Sequence, residues 1–182
     1  MHFGHNNILR FDNRPFESSA EMDEALIERW NRKVQPEDAV YVIGDAFWKN
    51  EEDSISIMKR LNGKKFLIKG NHDRIHGRLG NEWVSVNDIL EIVDCYRRVV
   101  MCHYPMMFYN GQHNGAYMLY GHVHNSREWL LVEKWRKELA CNQIPNKIIN
   151  VGCMLDYMNY EPRTLDELID ANSMAEMGGD IK

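Results

Sequence analysis

The sequence predicts an α/β fold, and three observations carry the prediction. Helical and strand-like segments alternate from Ser18 to Asp73, as βαβ units require. The strand-like segments are short and continuously apolar, the pattern of strands buried on both faces of a parallel sheet. Several of them stop abruptly at residues able to ligate a metal or move a proton, and α/β folds bind ligands beyond the carboxyl ends of their strands.

Met1 to Phe16 has no clear period and reads as an ordered loop. Ser18 and Glu21 then have capping-box spacing, and Met22, Leu26, Trp30 and Val34 recur every four residues, which predicts an amphipathic helix ending near Val34. Pro36 breaks it, and Ala39 to Ile43 (AVYVI) is a strand that runs into Gly44-Asp45. A loop leads to a helix carrying Ile55, Met58 and Leu61 and closed by Asn62-Gly63. Phe66 to Ile68, within KKFLIKGNHD, is the next strand and ends in Gly70-Asn71-His72-Asp73.

Arg74 to Val86 is mixed, whereas Ile89 to Val93 and Val99 to Cys102 are apolar enough for strands, the second ending at His103. Ala116 to Tyr120 is a further strand, followed by Gly121-His122-Val123-His124. A helix over Glu128 to Leu139 takes Trp129, Leu130, Val132, Trp135 and Leu139 as its apolar residues, and Lys147 to Val151 is a last strand. Thr164 and Glu167 repeat the capping-box spacing before a final helix, and the tail from about Ala171, with Gly178-Gly179, reads as frayed. With no repeat and no linker, residues 1–182 are expected to form a single domain.

Composition bounds the function. Apolar content of 44% and charged content of 27% are those of an ordinary globular chain. Cys95, Cys102, Cys141 and Cys153 lack CxxC spacing and no apolar leader or long apolar run occurs, so a cytoplasmic protein with reduced thiols and no membrane partner is expected. A formal charge of -5 argues against a broad nucleic-acid surface but not against a small phosphate ester held by cations.

Asp45, Asn71-His72-Asp73, His103 and His122/His124 thus lie at four successive strand ends. An Asp after a strand and glycine is ordinarily a turn residue, and a lone histidine is ordinarily hydrogen-bonded structure. His122 and His124, alternating in an extended segment, would face one side. Four such endings in one chain are a constellation. Its mixed nitrogen and oxygen donors suit Mn, Fe, Zn, Co or Ni better than Ca or Mg.

In this order and spacing, GD, GNHD, HYP and GHVH resemble the calcineurin-like metallophosphoesterases, from His2 to about Ile169. The opening HFGHNNILRF and closing NYEPRTLDEL resemble the small bacterial and phage-type members in particular. The resemblance implies two packed β-sheets flanked by helices, an α/β/β/α sandwich, with one or two divalent transition metals at the strand ends. Asp45 would bridge the metals; Asn71, His103 and His122 would complete one site, and His2 and His124 would serve the other. His72 would be the proton donor, oriented by Asp73. The implied activity is hydrolysis of phosphoric mono- or diesters by a hydroxide formed at that centre.

The chain departs from the family in its first motif, Asp-x-His. His2 stands at the histidine, while the aspartate and the strand before it would fall ahead of Met1. The expectations are an unpaired strand edge, filled by another segment or another chain and open to homodimerisation, and a His2/His124 site weaker than its neighbour. A misassigned start and a real loss both fit. Asp12 and the Met1 amine are the nearest groups that could substitute for the aspartate.

Among lesser candidates, His5 and Arg14 could contact a substrate phosphate, and Tyr104 and Asn125 sit beside ligands they could support. Cys102, Trp30, Trp83, Trp129 and Trp135 read as packing residues, and His76 and His113 as solvent-facing ones. Two alternatives stand beside the hydrolase of small phosphate esters. One is a binding scaffold of the same fold without catalysis. The other is a nuclease, for which Lys64, Lys65, Lys69, Arg97 and Arg98 would have to form basic walls. Substrate choice would lie in the loops Phe47 to Asp53 and Phe108 to Gly115.

Overall fold

A computed structural model describes residues 1–75 and 77–177, the last four by backbone alone. The opening segment is not all loop: α1 (Asn6–Phe11) is a short helix, followed by α2 (Ser19–Lys33), in which Ser18 Oγ accepts the Glu21 N–H as the spacing predicts. Then come β1 (Ala39–Ile43), α3 (Glu51–Arg60), β2 (Lys64–Ile68), α4 (Gly77–Gly80), β3 (Ser85–Asn87), β4 (Ile89–Asp94) and β5 (Arg97–Cys102). The chain continues with β6 (Tyr117–Tyr120), α5 (Arg127–Cys141), β7 (Ile148–Asn150) and α6 (Leu165–Met177). Helix α4 and β3 fall in the stretch with no readable pattern, because three or four residues are too few to show a period. Helix α6 passes Ala171 and reaches Met177; Gly178, Gly179 and His76 lie outside the described residues.

The protein is an α/β structure of two packed sheets flanked by helices. One sheet has the order β1-β2-β3, all parallel; the other, β4-β5-β6-β7, is parallel except for the antiparallel β4–β5 pair. Period-two alternation sorts each strand's side chains between layers. Val42 and Leu67 face the helices with Met22, Leu26, Trp30, Ile57 and Met58, whereas Tyr41, Ile43 and Ile68 face the second sheet. From that sheet Val99, Met101, Leu119 and Ile149 meet them, and Val100, Met118, Tyr120 and Ile148 point outward under Val132 and Leu139 of α5. Leu130 and Trp135, counted into the apolar face of α5 by sequence, are exposed instead. No helix among the described residues is long and apolar enough to cross a membrane.

Among the described residues, strand β1 has one strand neighbour, β2. Along its other edge runs a groove of about 600 Å³, walled by Trp30, Val40, Val42, Met101, Leu119 and Leu168 and reaching Met1, His2 and Asp45. Residues 1–3 pair at its head: His2 N–H donates to Asp45 O at 2.9 Å, Phe3 N–H to Ala46 O at 2.9 Å, and Trp48 N–H to Phe3 O at 2.7 Å. The Phe3–Phe47 bridge is parallel, so the opening residues run in the direction of β1.

Candidate metal centre

The candidate ligands gather at the carboxyl ends of β1, β2, β5 and β6, and glycines let them do so. A Cβ on Gly44 would lie 2.1 Å from His103 Nδ1, one on Gly70 2.3 Å from Asp45 Oδ1, and one on Gly121 3.0 Å from Ile43 O. The glycines that precede Asp45, Asn71 and His122 are thus required by close approach between neighbouring strand ends. Four of the candidate ligands are strained: His2, Asp45, His122 and His124 have φ of 66°, 51°, 56° and 50°. Left-handed backbone at a non-glycine residue persists where surrounding structure enforces it, and it concentrates at functional sites.

His103, 2% exposed, is the hub of one group. Its Nδ1 lies 3.1 Å from Ile43 O, a carbonyl that can only accept, so Nδ1 carries the proton. Nε2 of the neutral ring then presents a lone pair. It meets Asn71 Oδ1 at 3.2 Å, His122 Nδ1 at 3.3 Å and Asp45 Oδ2 at 3.4 Å. Electron-rich atoms facing one another repel unless a cation lies among them. These separations are those of neighbouring ligands on one ion with bonds of about 2.1 Å, and a backbone carbonyl on the far nitrogen is the usual brace of a ligating histidine.

The second group is sparser. His2 Nε2 lies 3.1 Å from His124 Nε2, and His124 Nδ1 donates to Asp12 Oδ1 at 2.7 Å. Asp12 also takes Arg14 Nε at 2.9 Å and Nη2 at 2.7 Å through Oδ2. Asp12 therefore stands behind His124, on the nitrogen away from His2. It supports the ring and does not stand in for a first-motif carboxylate. The Met1 amine, the other candidate, donates to Asp45 O at 3.2 Å. Among the described residues no three His, Cys, Asp or Glu side chains make a ready ligand cluster. The better-furnished group around His103 depends on the Asn71 amide oxygen. These donors fit transition metals, one group more completely than the other.

Electrostatics agree with ligation. Burial pushes the Asp45 carboxyl up, and the His72 N–H donated to its Oδ1 draws it down. At Asp12 burial also pushes up and is overcome by His124 and Arg14. Burial, the Met1 amine and His124 drive His2 far down, and burial with His103 lowers His122. The carboxylates are anionic and these two imidazoles neutral, the forms a cation binds.

Two expected roles are not met. Asp73 does not touch the His72 ring: Oδ2 accepts the N–H of Asp45 and of Gly70, each at 2.8 Å, and Oδ1 accepts Ala46 N–H at 2.8 Å. Its oxygens are taken by backbone, so it fixes the turn that carries Asp45. Arg14 has a side chain 0% exposed and donates to Asp12, Met1 O and Met22 Sδ, which removes it from any substrate. His5 does lie at the site, its ring 5.6 Å from His2 and stacked at 4.1 Å on Trp48. His72 is exposed, its N–H on Asp45 Oδ1 at 3.0 Å and its ring 4.4 Å from Trp48. His122 and His124 belong to different groups, because Gly121–His124 is a turn with left-handed residues and not an extended segment.

Sequence reasoning missed Trp48 and the true place of Asp12. Both lie in loops beside ligands, where no period marks them; the two-residue spacing of Asp12 and Arg14 was the one available signal.

No family model matches the chain. It is 29% identical over 172 residues to the uncharacterized protein MJ1445 of Methanocaldococcus jannaschii, covering 92% of this chain and 85% of that one. It is 26% identical over 156 residues to the Gene 66 protein of Mycobacterium phage D29, covering 69% and 75%. A crystal structure of AQ665, a protein of unknown function from Aquifex aeolicus, superposes with a TM-score of 0.69 at 23% identity, covering 93% of this chain and 94% of that one, and so shares its fold.

Proposed function

We propose that the protein is a metal-dependent hydrolase of phosphoric mono- or diesters, of the calcineurin-like metallophosphoesterase type. The observation that carries the reading is the convergence of Asn71 Oδ1, His122 Nδ1 and Asp45 Oδ2 on the lone pair of His103. Divalent Mn, Fe, Zn, Co or Ni bound there supplies Lewis acidity to phosphoryl oxygens and a water of lowered pKa. Asn71, His103 and His122 would hold one ion and His2 and His124 the second, with Asp45 completing the donor set. His72, exposed and with its backbone N–H on Asp45 Oδ1, would give a proton from its ring to the departing oxygen. The four free cysteines support a cytoplasmic setting.

One observation favours a second reading, a binding scaffold without catalysis. Among the described residues the His2–His124 pair has no carboxylate of its own facing it, since Asp12 sits behind His124. Assay of p-nitrophenyl and bis-p-nitrophenyl phosphate with Mn²⁺ separates the two. Hydrolysis by the wild type and its loss in Asp45→Asn are expected, and equal rates in both proteins would defeat the enzyme.

A further inference from the structure

We infer that, on the metal-centre reading proposed above, Arg14 is the positioning residue of the sparser donor pair: its one buried guanidinium aims both His2 and His124. The two histidines come from different parts of the fold. His2 belongs to the segment paired with Asp45 and Ala46 beyond β1, and His124 to the turn after β6 in the other sheet, yet their Nε2 atoms lie 3.1 Å apart. Arg14 reaches both. Its Nη1 donates to Met1 O at 2.9 Å, while the His2 N–H, on the opposite side of the same peptide group, donates to Asp45 O at 2.9 Å. With both polar atoms held, that peptide plane cannot rotate, and it sets the left-handed φ of 66° from which the His2 ring projects.

On the other edge of the guanidinium, Nε and Nη2 hold Asp12 Oδ2 at 2.9 and 2.7 Å, and Asp12 Oδ1 accepts the proton on His124 Nδ1 at 2.7 Å. The His124 ring is thereby turned with Nε2 toward His2. A planar guanidinium fixes the angle between its donors, so the spacing of the two rings is built into one side chain. Stability alone does not call for arginine here. Apolar residues of similar volume often match or surpass a buried ion pair, and apolar groups already flank it: Met22 Sδ lies 3.3 Å from Nη1 and the Tyr160 ring 5.9 Å from the guanidinium carbon. Lysine would keep a charge beside Asp12 but lose the fork that spans Asp12 and Met1 O. His103 is braced by Ile43 O instead, which makes the fuller donor group an internal control.

Titration of the metal-free full chain with Co²⁺, followed by visible absorption, reads the two groups apart from turnover. The wild type should show a tight and a weak phase, the weak one absent in His124→Ala. Arg14→Lys should weaken that second phase about 10- to 100-fold, the size of a lost brace behind a ligand. The tight phase, which reports an intact fold, should stay as in the wild type. Asp12→Asn combined with Arg14→Met removes the buried charges as a pair and should give the same selective loss. A weak phase of wild-type affinity in either variant would overturn the inference. Equal loss of both phases in both variants would also overturn it, by making Arg14 a residue of the fold alone. A wild type with one phase or none leaves no second site to aim and overturns it as well. The hydrolase reading fails separately, by absence of ester hydrolysis in the Mn²⁺-loaded protein.

Discussion

Asp73 Oδ2 accepts the backbone N–H of Asp45 at 2.8 Å across the gap between the ends of β1 and β2. With Gly70 and Ala46 it completes three such bonds on one buried carboxylate. The aspartate of GNHD therefore braces GD, and the two motifs are one structural unit.

Asp73→Asn replaces one acceptor oxygen by an amide that confronts an N–H donor. The expected cost is about 2 to 4 kcal/mol in urea unfolding, with loss of metal binding at Asp45. A variant of wild-type stability, altered only in its dependence on the leaving group, would return Asp73 to His72.

Asp12→Ala leaves the Arg14 guanidinium buried without its carboxylate. Removing one partner of a buried pair costs about 3 to 5 kcal/mol, so the variant should be partly unfolded at 37 °C by circular dichroism. Full stability would mean that Arg14 finds other acceptors.

Gly44→Ala and Gly115→Ala both force alanine into left-handed backbone, at φ of +75° and +80°. At Gly115 the nearest atom to the new methyl is Lys147 Nζ at 3.5 Å, whereas at Gly44 it is His103 Nδ1 at 2.1 Å. The first should cost about 1 kcal/mol and the second roughly 3 kcal/mol or more, as strain alone against strain with overpacking. Thermal unfolding of the pair checks the difference.

In EDTA, stability should fall as pH drops below the ordinary histidine value of 6.5, because burial holds the folded His2 imidazole far lower. The folded state then binds fewer protons than the unfolded one, so the contribution is complete above that value and declines beneath it. His2 sets a slope approaching about 1.4 kcal/mol per pH unit, and His5 and His122 act in the same direction. Urea titrations from pH 8 to pH 5, flatter in His2→Asn, provide the measurement.

After loading and dialysis, about one equivalent of metal should remain, on the group with the fuller donor set. His103→Ala should abolish it and His124→Ala should spare it. Two retained equivalents, read by plasma emission, would contradict the asymmetry.

Most of the fold was legible because its long elements carry their period openly. Met22, Leu26 and Trp30 show the helical repeat and are buried as that repeat requires, and AVYVI shows an apolar run between layers. The gathering of Asp45, Asn71, His103 and His122 was legible for a different reason: strand ends converge in α/β folds, so residues far apart in sequence had one place to meet. What stayed hidden was decided by hydrogen bonds across loops. Nothing in the letters of GNHD says whether Asp73 turns to a neighbouring ring or to three amides. Arg14 likewise reads as a free phosphate ligand until Asp12 is folded against it. A turn of left-handed residues could not be told from an extended segment at GHVH, and the division of its histidines between two groups went with that.

The parallel pairing of residues 1–3 with the segment after β1 gives the Met1 nitrogen a heading. Whatever is bonded to it, whether residues read from further upstream or a purification tag, is steered back along the open edge of β1 into a trough of tryptophan, valine, methionine and leucine. An extension of alternating β-branched residues would be zipped into the sheet, while one rich in lysine or proline would be expelled and would drag on His2. The amino end is therefore a lever on the sparser donor group, and affinity handles belong at the other end of the chain, beyond α6.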